Sequence, residues 1–103
     1  MRTIVERTAQ RRIESKAFLV RYLRGHSCVD CGAADLRVLD FDHRPGTQKR
    51  KDVMAMVKEG FSLAKIVEEI AKCDVRCRNC HAIATLERCG PNWRSDAMRQ
   101  ADC

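Results

Sequence analysis

Apolar side chains recur every three to four residues through the first two dozen positions. Val5, Ala9, Ile13, Ala17 and Val20 form a stripe that Phe18, Leu19, Tyr22 and Leu23 widen near its end. This spacing predicts an amphipathic helix over residues 3–24, stopped at Gly25. The stripe is expected to pack on the rest of the domain, with a dimer seam as the alternative. The pattern changes at Leu36-Arg37-Val38-Leu39-Asp40-Phe41-Asp42-His43, whose β-branched and aromatic residues predict a strand ended by Arg44-Pro45-Gly46. Period two sets Phe41 and His43 on one face and Asp40 and Asp42 on the other. Residues 47–51 read as a polar, basic loop. Helical spacing then returns twice. Asp52 caps a helix with Val53, Met56 and Val57 on its apolar side and Gly60 at its end. Ser62 caps a second that buries Leu63, Ile66, Val67 and Ile70. A short strand over residues 73–76 leads into Cys77-Arg78-Asn79-Cys80-His81, and a last helix runs to about residue 87 or 88, ahead of Gly90-Pro91. A polar tail around Trp93 follows.

Composition narrows the class. A chain of 103 residues makes one domain, and with 33% charged and 45% hydrophobic residues, two prolines and five glycines it folds. No apolar run approaches the roughly 20 residues of a membrane span, and the first seven residues hold no signal-peptide core. The expected setting is soluble and intracellular, where thiols stay reduced and paired cysteines more often hold metal than form disulfides. An odd total of seven cysteines also fits a closed disulfide framework poorly. The net charge of +6 is uneven: residues 1–26 carry seven basic and two acidic side chains, the remainder 13 and 12. A basic arm on a nearly neutral body points to a polyanion, nucleic acid foremost, with a solvated helix face as the plainer reading.

Cys28-x-x-Cys31 and Cys77-x-x-Cys80 carry the sharpest chemistry. Two thiolates at this spacing can grip one tetrahedral ion, and two such pairs close the shell of a structural zinc. The 45 residues between the pairs must fold and return the second knuckle to the first. Redox-active pairs and free buried cysteines are the rivals, and no βαβ pattern surrounds either pair. Of the others, Cys73 reads as a small core side chain, and nothing marks Cys89 or Cys103 as reactive.

Asp42-His43 ends the expected strand, and His81 follows Cys80 directly. A lone histidine is more often structural than catalytic. Here, however, a closed zinc loop brings the segment after Cys80 toward the segment after Cys31. A carboxylate and an imidazole that converge this way can hold a divalent ion with positions open to phosphate and water. His43 could then accept a proton from an attacking water.

The ordered set Cys28-x-x-Cys31, Leu39-Asp40-Phe41-Asp42-His43-Arg44, then Glu69-Ile70-x-Lys72-Cys73-Asp74-Val75-x-Cys77-x-Asn79-Cys80-His81 with Thr85 resembles the HNH endonucleases. It is most similar to the small zinc-knuckle HNH proteins of phages and bacteria, over roughly residues 27–88. The resemblance implies an α+β fold: a small ββα-metal (His-Me finger) core over residues 27–90, stapled by a four-cysteine structural zinc. The amphipathic helix of residues 1–26 would pack on it, and 91–103 would trail as a tail. It further implies His43 as general base, and Asp42 and His81 as ligands of a catalytic ion, magnesium or manganese, with nickel or zinc accepted by some members. The implied activity is metal-dependent cleavage or nicking of DNA. The implied setting is the cytoplasm of a bacterium or phage-infected host, where such proteins are associated with terminase subunits in DNA packaging. The chain departs from the family in two respects: the middle Asn, about five residues before the second knuckle and understood to orient the loop of the base, is missing from Lys72-Cys73-Asp74-Val75-Arg76, and the two helical patterns between His43 and Cys73 make a connection longer than a minimal hairpin.

Arg44, Lys49, Arg50 and Lys51 after the base, and Arg76 and Arg78 around the second knuckle, are positioned in sequence to meet phosphates. No recognition helix with a base-reading pattern is evident, so low sequence specificity is expected. Lys58, Lys65, Arg88, Arg94 and Arg99 read as solvated charges. The alternative function is a zinc-stabilised module that binds nucleic acid without cutting it.

Overall fold

The computed structural model describes residues 2–102, so Cys103 and the expectation placed on it lie outside the described residues. Among them, five α-helices and one two-stranded antiparallel sheet make a small α+β fold. Among the described residues, no helix is long and apolar enough to cross a membrane.

Helix α1 (Ile4–Arg24) starts where the Thr3 hydroxyl accepts the Glu6 N–H, and Gly25 closes it with an N–H to the Tyr22 carbonyl. The face it buries differs from the expected stripe. Ser15, Leu19 and Leu23 are buried, while Val5 and Ile13 stand 78% and 63% exposed. The i, i+4, i+8 line through Ser15 is the one that meets its neighbours α2 (Val53–Lys58) and α3 (Leu63–Ile70). Thr8 and Arg11 reach as far as Gly60, at the end of α2, and the positions before them contribute nothing to the core.

Strand β1 (Leu39–His43) begins later than expected, because the Asp35 carboxylate caps a 3₁₀ turn over Leu36–Val38. β1 pairs with β2 (Cys73–Cys77) in the register Leu39 with Cys77, Phe41 with Val75 and His43 with Cys73. Those residues share the core face. Asp40, Asp42, Asp74 and Arg76 share the other, which α4 (Arg78–Cys89) approaches. Asp52 holds the N-cap position of α2, but its carboxylate pairs with Lys49 instead of capping. Ser62 does cap α3. That helix turns Ile66, Glu69 and Ile70 inward, leaving the expected core residues Leu63 and Val67 on its flanks, 36% and 41% exposed. Residues expected as a polar tail form α5 (Trp93–Ala101), started by a reciprocal capping box between Asn92 and Ser95.

Two apolar clusters make the core. Leu19, Val53, Met56, Val57, Ile66, Ile70 and Cys73 form one; Leu23, Cys28, Leu39, Val75 and Cys77 form the other. Tyr22 and Phe41 pack against both.

Candidate functional site

Local hydrogen bonding shapes each knuckle. The Cys28 N–H donates to Ala33 and the Gly32 N–H to Cys28, folding the first pair into a tight loop. The second pair lies where β2 turns into α4: Cys77 is the N-cap, and its Sγ accepts the Cys80 N–H. One further bond, Val29 N–H to the Val75 carbonyl, laces the first loop onto β2. The four sulfurs consequently lie within 4.8 Å of one another, and Cys31 and Cys77 are 3.7 Å apart. Zinc–sulfur bonds of about 2.3 Å in a tetrahedron set an edge of about 3.8 Å, so the cluster has the dimensions of one tetrahedral metal ion. Its electrostatics agree. Burial opposes ionisation of Cys28, but backbone N–H groups of Cys77, Cys31 and Asp30 outweigh it and bring that thiol to about 6. Cys80 is pushed up, chiefly by Cys77 beside it. Four adjacent thiolates need a cation.

On the polar face of the sheet, Asp42 is 3% exposed and accepts three charged hydrogen bonds. Arg88 Nη1 reaches Oδ1 at 2.9 Å and Nη2 reaches Oδ2 at 3.0 Å; Arg76 Nη1 adds 2.7 Å to Oδ2. Burial works against the Asp42 carboxylate, and the Arg88 and Arg76 bonds more than reverse that, so its pKa is lowered. His81 sits across from it, Nε2 to Oδ1 3.5 Å, with Asp40 3.6 Å from its Nδ1. Ligands at about 2.1 Å in adjacent octahedral positions lie about 3 Å apart, and a carboxylate offers about four lone-pair sites. Arg88 and Arg76 occupy three of them. The fourth belongs to Oδ1, the oxygen that faces His81. Oδ1 and His81 Nε2 could thus together offer two ligands to a hard divalent ion, against the repulsion of two guanidinium groups.

The strand alternation separates His43 from this pair. Its Nε2 is 2.7 Å from Glu69 Oε2 on the opposite face of the sheet. The basic residues expected to meet DNA are mostly engaged within the chain. Arg44 donates to the Cys73 and Ala71 carbonyls at 3.0 and 2.5 Å. Lys49 pairs with Asp52 and Lys51 with Glu59, while Arg50 lies over the Phe61 ring. Arg76 is sequestered among Asp30, Asp42 and Asp74, its side chain 15% exposed. Arg78 is open, its side chain 72% exposed and 3.9 Å from Asp40.

Two partners in these contacts carry a signal in the sequence. Glu69 is a charge on the apolar face of α3, three residues after Ile66. Arg88, read as a solvated charge, follows His81 by seven residues, two turns along one helix face. Compared with protein-family models, curated proteins and solved structures, the chain matches none.

Proposed function

We propose that the chain is a metal-dependent HNH-type DNA endonuclease or nickase of low sequence specificity, built on a ββα-metal unit of β1, β2 and α4 and stapled by zinc at Cys28, Cys31, Cys77 and Cys80. The observation that carries this reading is the approach of Asp42 and His81 to 3.5 Å across the strand–helix junction that the cysteines close. Asp42 and His81 would hold a magnesium or manganese ion, which would supply charge neutralisation at the scissile phosphate and the leaving 3′-oxygen. His43, whose ring lies on the other face of the sheet from Asp42 and His81, is the last residue of β1, and past that strand end the ring nitrogen that Glu69 does not hold would accept the proton of the attacking water. Asp40, beside His81 Nδ1, orients that imidazole. Arg78 and the basic arm of α1 hold the duplex by its phosphates, without reading bases.

A plasmid-nicking assay with magnesium or manganese tests this. Nicking that falls about 10²–10⁴-fold in His43→Ala, with zinc content unchanged, is the expected result. Nicking that is unchanged in His43→Ala overturns the mechanism.

One observation favours a second reading, a zinc-stabilised nucleic-acid-binding module without catalysis. Asp42 already carries two arginines, as a structural ion-pair node would. That reading expects zinc-dependent DNA binding and no cleavage with any divalent ion.

A further inference from the structure

A carboxylate on the apolar face of a helix requires a reason. Glu69 is 1% exposed, and its oxygens gather donors from three parts of the chain. Oε2 accepts from His43 Nε2 at 2.7 Å, at the end of β1, and from the Arg50 backbone N–H at 2.9 Å, in the loop beyond it. Oε1 accepts from Lys72 Nζ at 2.9 Å, and the same ammonium donates to the Gln48 carbonyl at 2.9 Å. Burial opposes ionisation of Glu69, but Lys72, the Arg50 N–H and His43 more than compensate and hold the carboxyl at about 2.

An ionised carboxylate can only accept, so the ring nitrogen that faces it must carry a proton. In a neutral imidazole that leaves the lone pair on Nδ1. Among the described residues His43 Nδ1 has no hydrogen-bond partner, yet no buried side-chain nitrogen or oxygen is left unpartnered. Nδ1 therefore keeps some contact with solvent, on a side chain that is 12% exposed. We infer that Glu69 is a positioning residue: it fixes His43 in the Nε2–H tautomer and, with Lys72, pins the loop of residues 48–50, so that Nδ1 is presented as the proton acceptor. The catalytic consequence rests on the endonuclease reading; the state of the ring does not.

Long-range ¹H–¹⁵N NMR of the zinc-loaded full chain reads the tautomer directly. Wild type is expected to show His43 protonated at Nε2. Glu69→Gln cannot serve both the Arg50 N–H and Lys72, and should give mixed tautomers. Its kcat for nicking should fall about 10–100-fold with KM for DNA unchanged. If Glu69→Gln folds poorly beside an uncompensated Lys72, the pair Glu69→Leu, Lys72→Met removes both charges together with the acceptor that faces His43, and carries the same expectation. An Nδ1–H tautomer in wild type overturns the proposal. So does an unchanged tautomer in the folded variant, which would make Glu69 structural alone. A wild-type chain with the Nε2–H ring that cuts no DNA removes the endonuclease reading and leaves the hold of Glu69 on His43 standing.

Discussion

Asp42 is where two roles compete. Its carboxylate is nearly inaccessible and already carries Arg88 and Arg76, so a divalent ion bound between it and His81 must settle beside two guanidinium groups. Arg88 is the weaker tie, a third exposed, whereas Arg76 is wedged among three carboxylates. Replacing Arg88 with Ala removes one repulsive charge from the ion's neighbourhood, and Mn²⁺ affinity should rise by about tenfold or more in calorimetric titration. If Asp42 is purely structural, no Mn²⁺ heat appears in either protein, and the substitution costs about 1–2 kcal/mol in denaturant unfolding instead. Glu69 supplies a pH test at the same scale. Its carboxyl is held at about 2 against an ordinary 4.5. A depressed folded pKa contributes stability that is present above the unfolded value and lost as pH falls through the folded one. The side chain is almost wholly buried, so the contribution is of order 3 kcal/mol. The Glu69 carboxyl of the zinc-loaded chain should thus stay ionised down to about pH 5, where an ordinary glutamate has begun to protonate, as read from its carboxyl ¹³C shift. A shift that already moves between about pH 6 and about pH 5 would mean Glu69 titrates normally.

Elements form where local signals and tertiary packing agree, and α1 shows where they part. Its periodicity was legible, but the face it buries was not, because a stripe of Val5, Ala9 and Ile13 and a line of Ser15, Leu19 and Leu23 are both helical patterns. The choice belongs to α2 and α3, which no local window contains. Part of the basic arm has a use that charge counting cannot foresee: Arg12 Nε donates to the Lys58 carbonyl at 2.7 Å and Arg11 Nη1 to the Gly60 carbonyl at 3.3 Å. Two arginines of α1 thus complete the carbonyl end of α2. The chain turns there through Gly60, at φ +78°, and a Cβ on that residue would stand 2.6 Å from Thr8 Cγ2. Gly60→Ala therefore meets two penalties, a left-handed backbone worth about 1–2 kcal/mol and a steric clash. Thermal unfolding should show a larger loss in the wild-type background than with Thr8→Ser, which removes Cγ2 and leaves only the backbone cost. Equal losses would mean that the α1–α2 contact yields freely. The knuckles, by contrast, could be read from spacing alone, since thiol geometry is set within four residues. Asp42 and His81 were readable as a pair only through the ring the cysteines close. Glu69 and Arg88 act through partners 26 and 46 residues away, too far for any local pattern to reveal.

Taken whole, the molecule is thin. It measures 68 × 24 × 21 Å with a radius of gyration of 17.1 Å, where a compact chain of about 100 residues has about 13 Å. Helix α1 alone runs about 30 Å, and α4 and α5 bury no residue completely. So extended a shape leaves two small apolar clusters, and Tyr22 and Phe41 join them. The cluster around Cys28 and Cys77 contains the very thiols of the metal site, so without a cation its centre is a set of adjacent, partly buried sulfurs. Phe41 leans on both clusters from β1, and β2 supplies Val75 to one and Cys73 to the other. Loss of the ion should therefore spread: the knuckles release β2, β2 releases β1, and the α2–α3 cluster loses Cys73 and Phe41 together. Chelation, or Cys77→Ser, is expected to abolish amide-exchange protection in β1, β2, α2 and α3 in one cooperative step, with about one zinc released per chain in the chelated sample. Protection that persists in α2 and α3 after the metal has left would instead define two independent folding units, with the cysteines stapling the sheet alone.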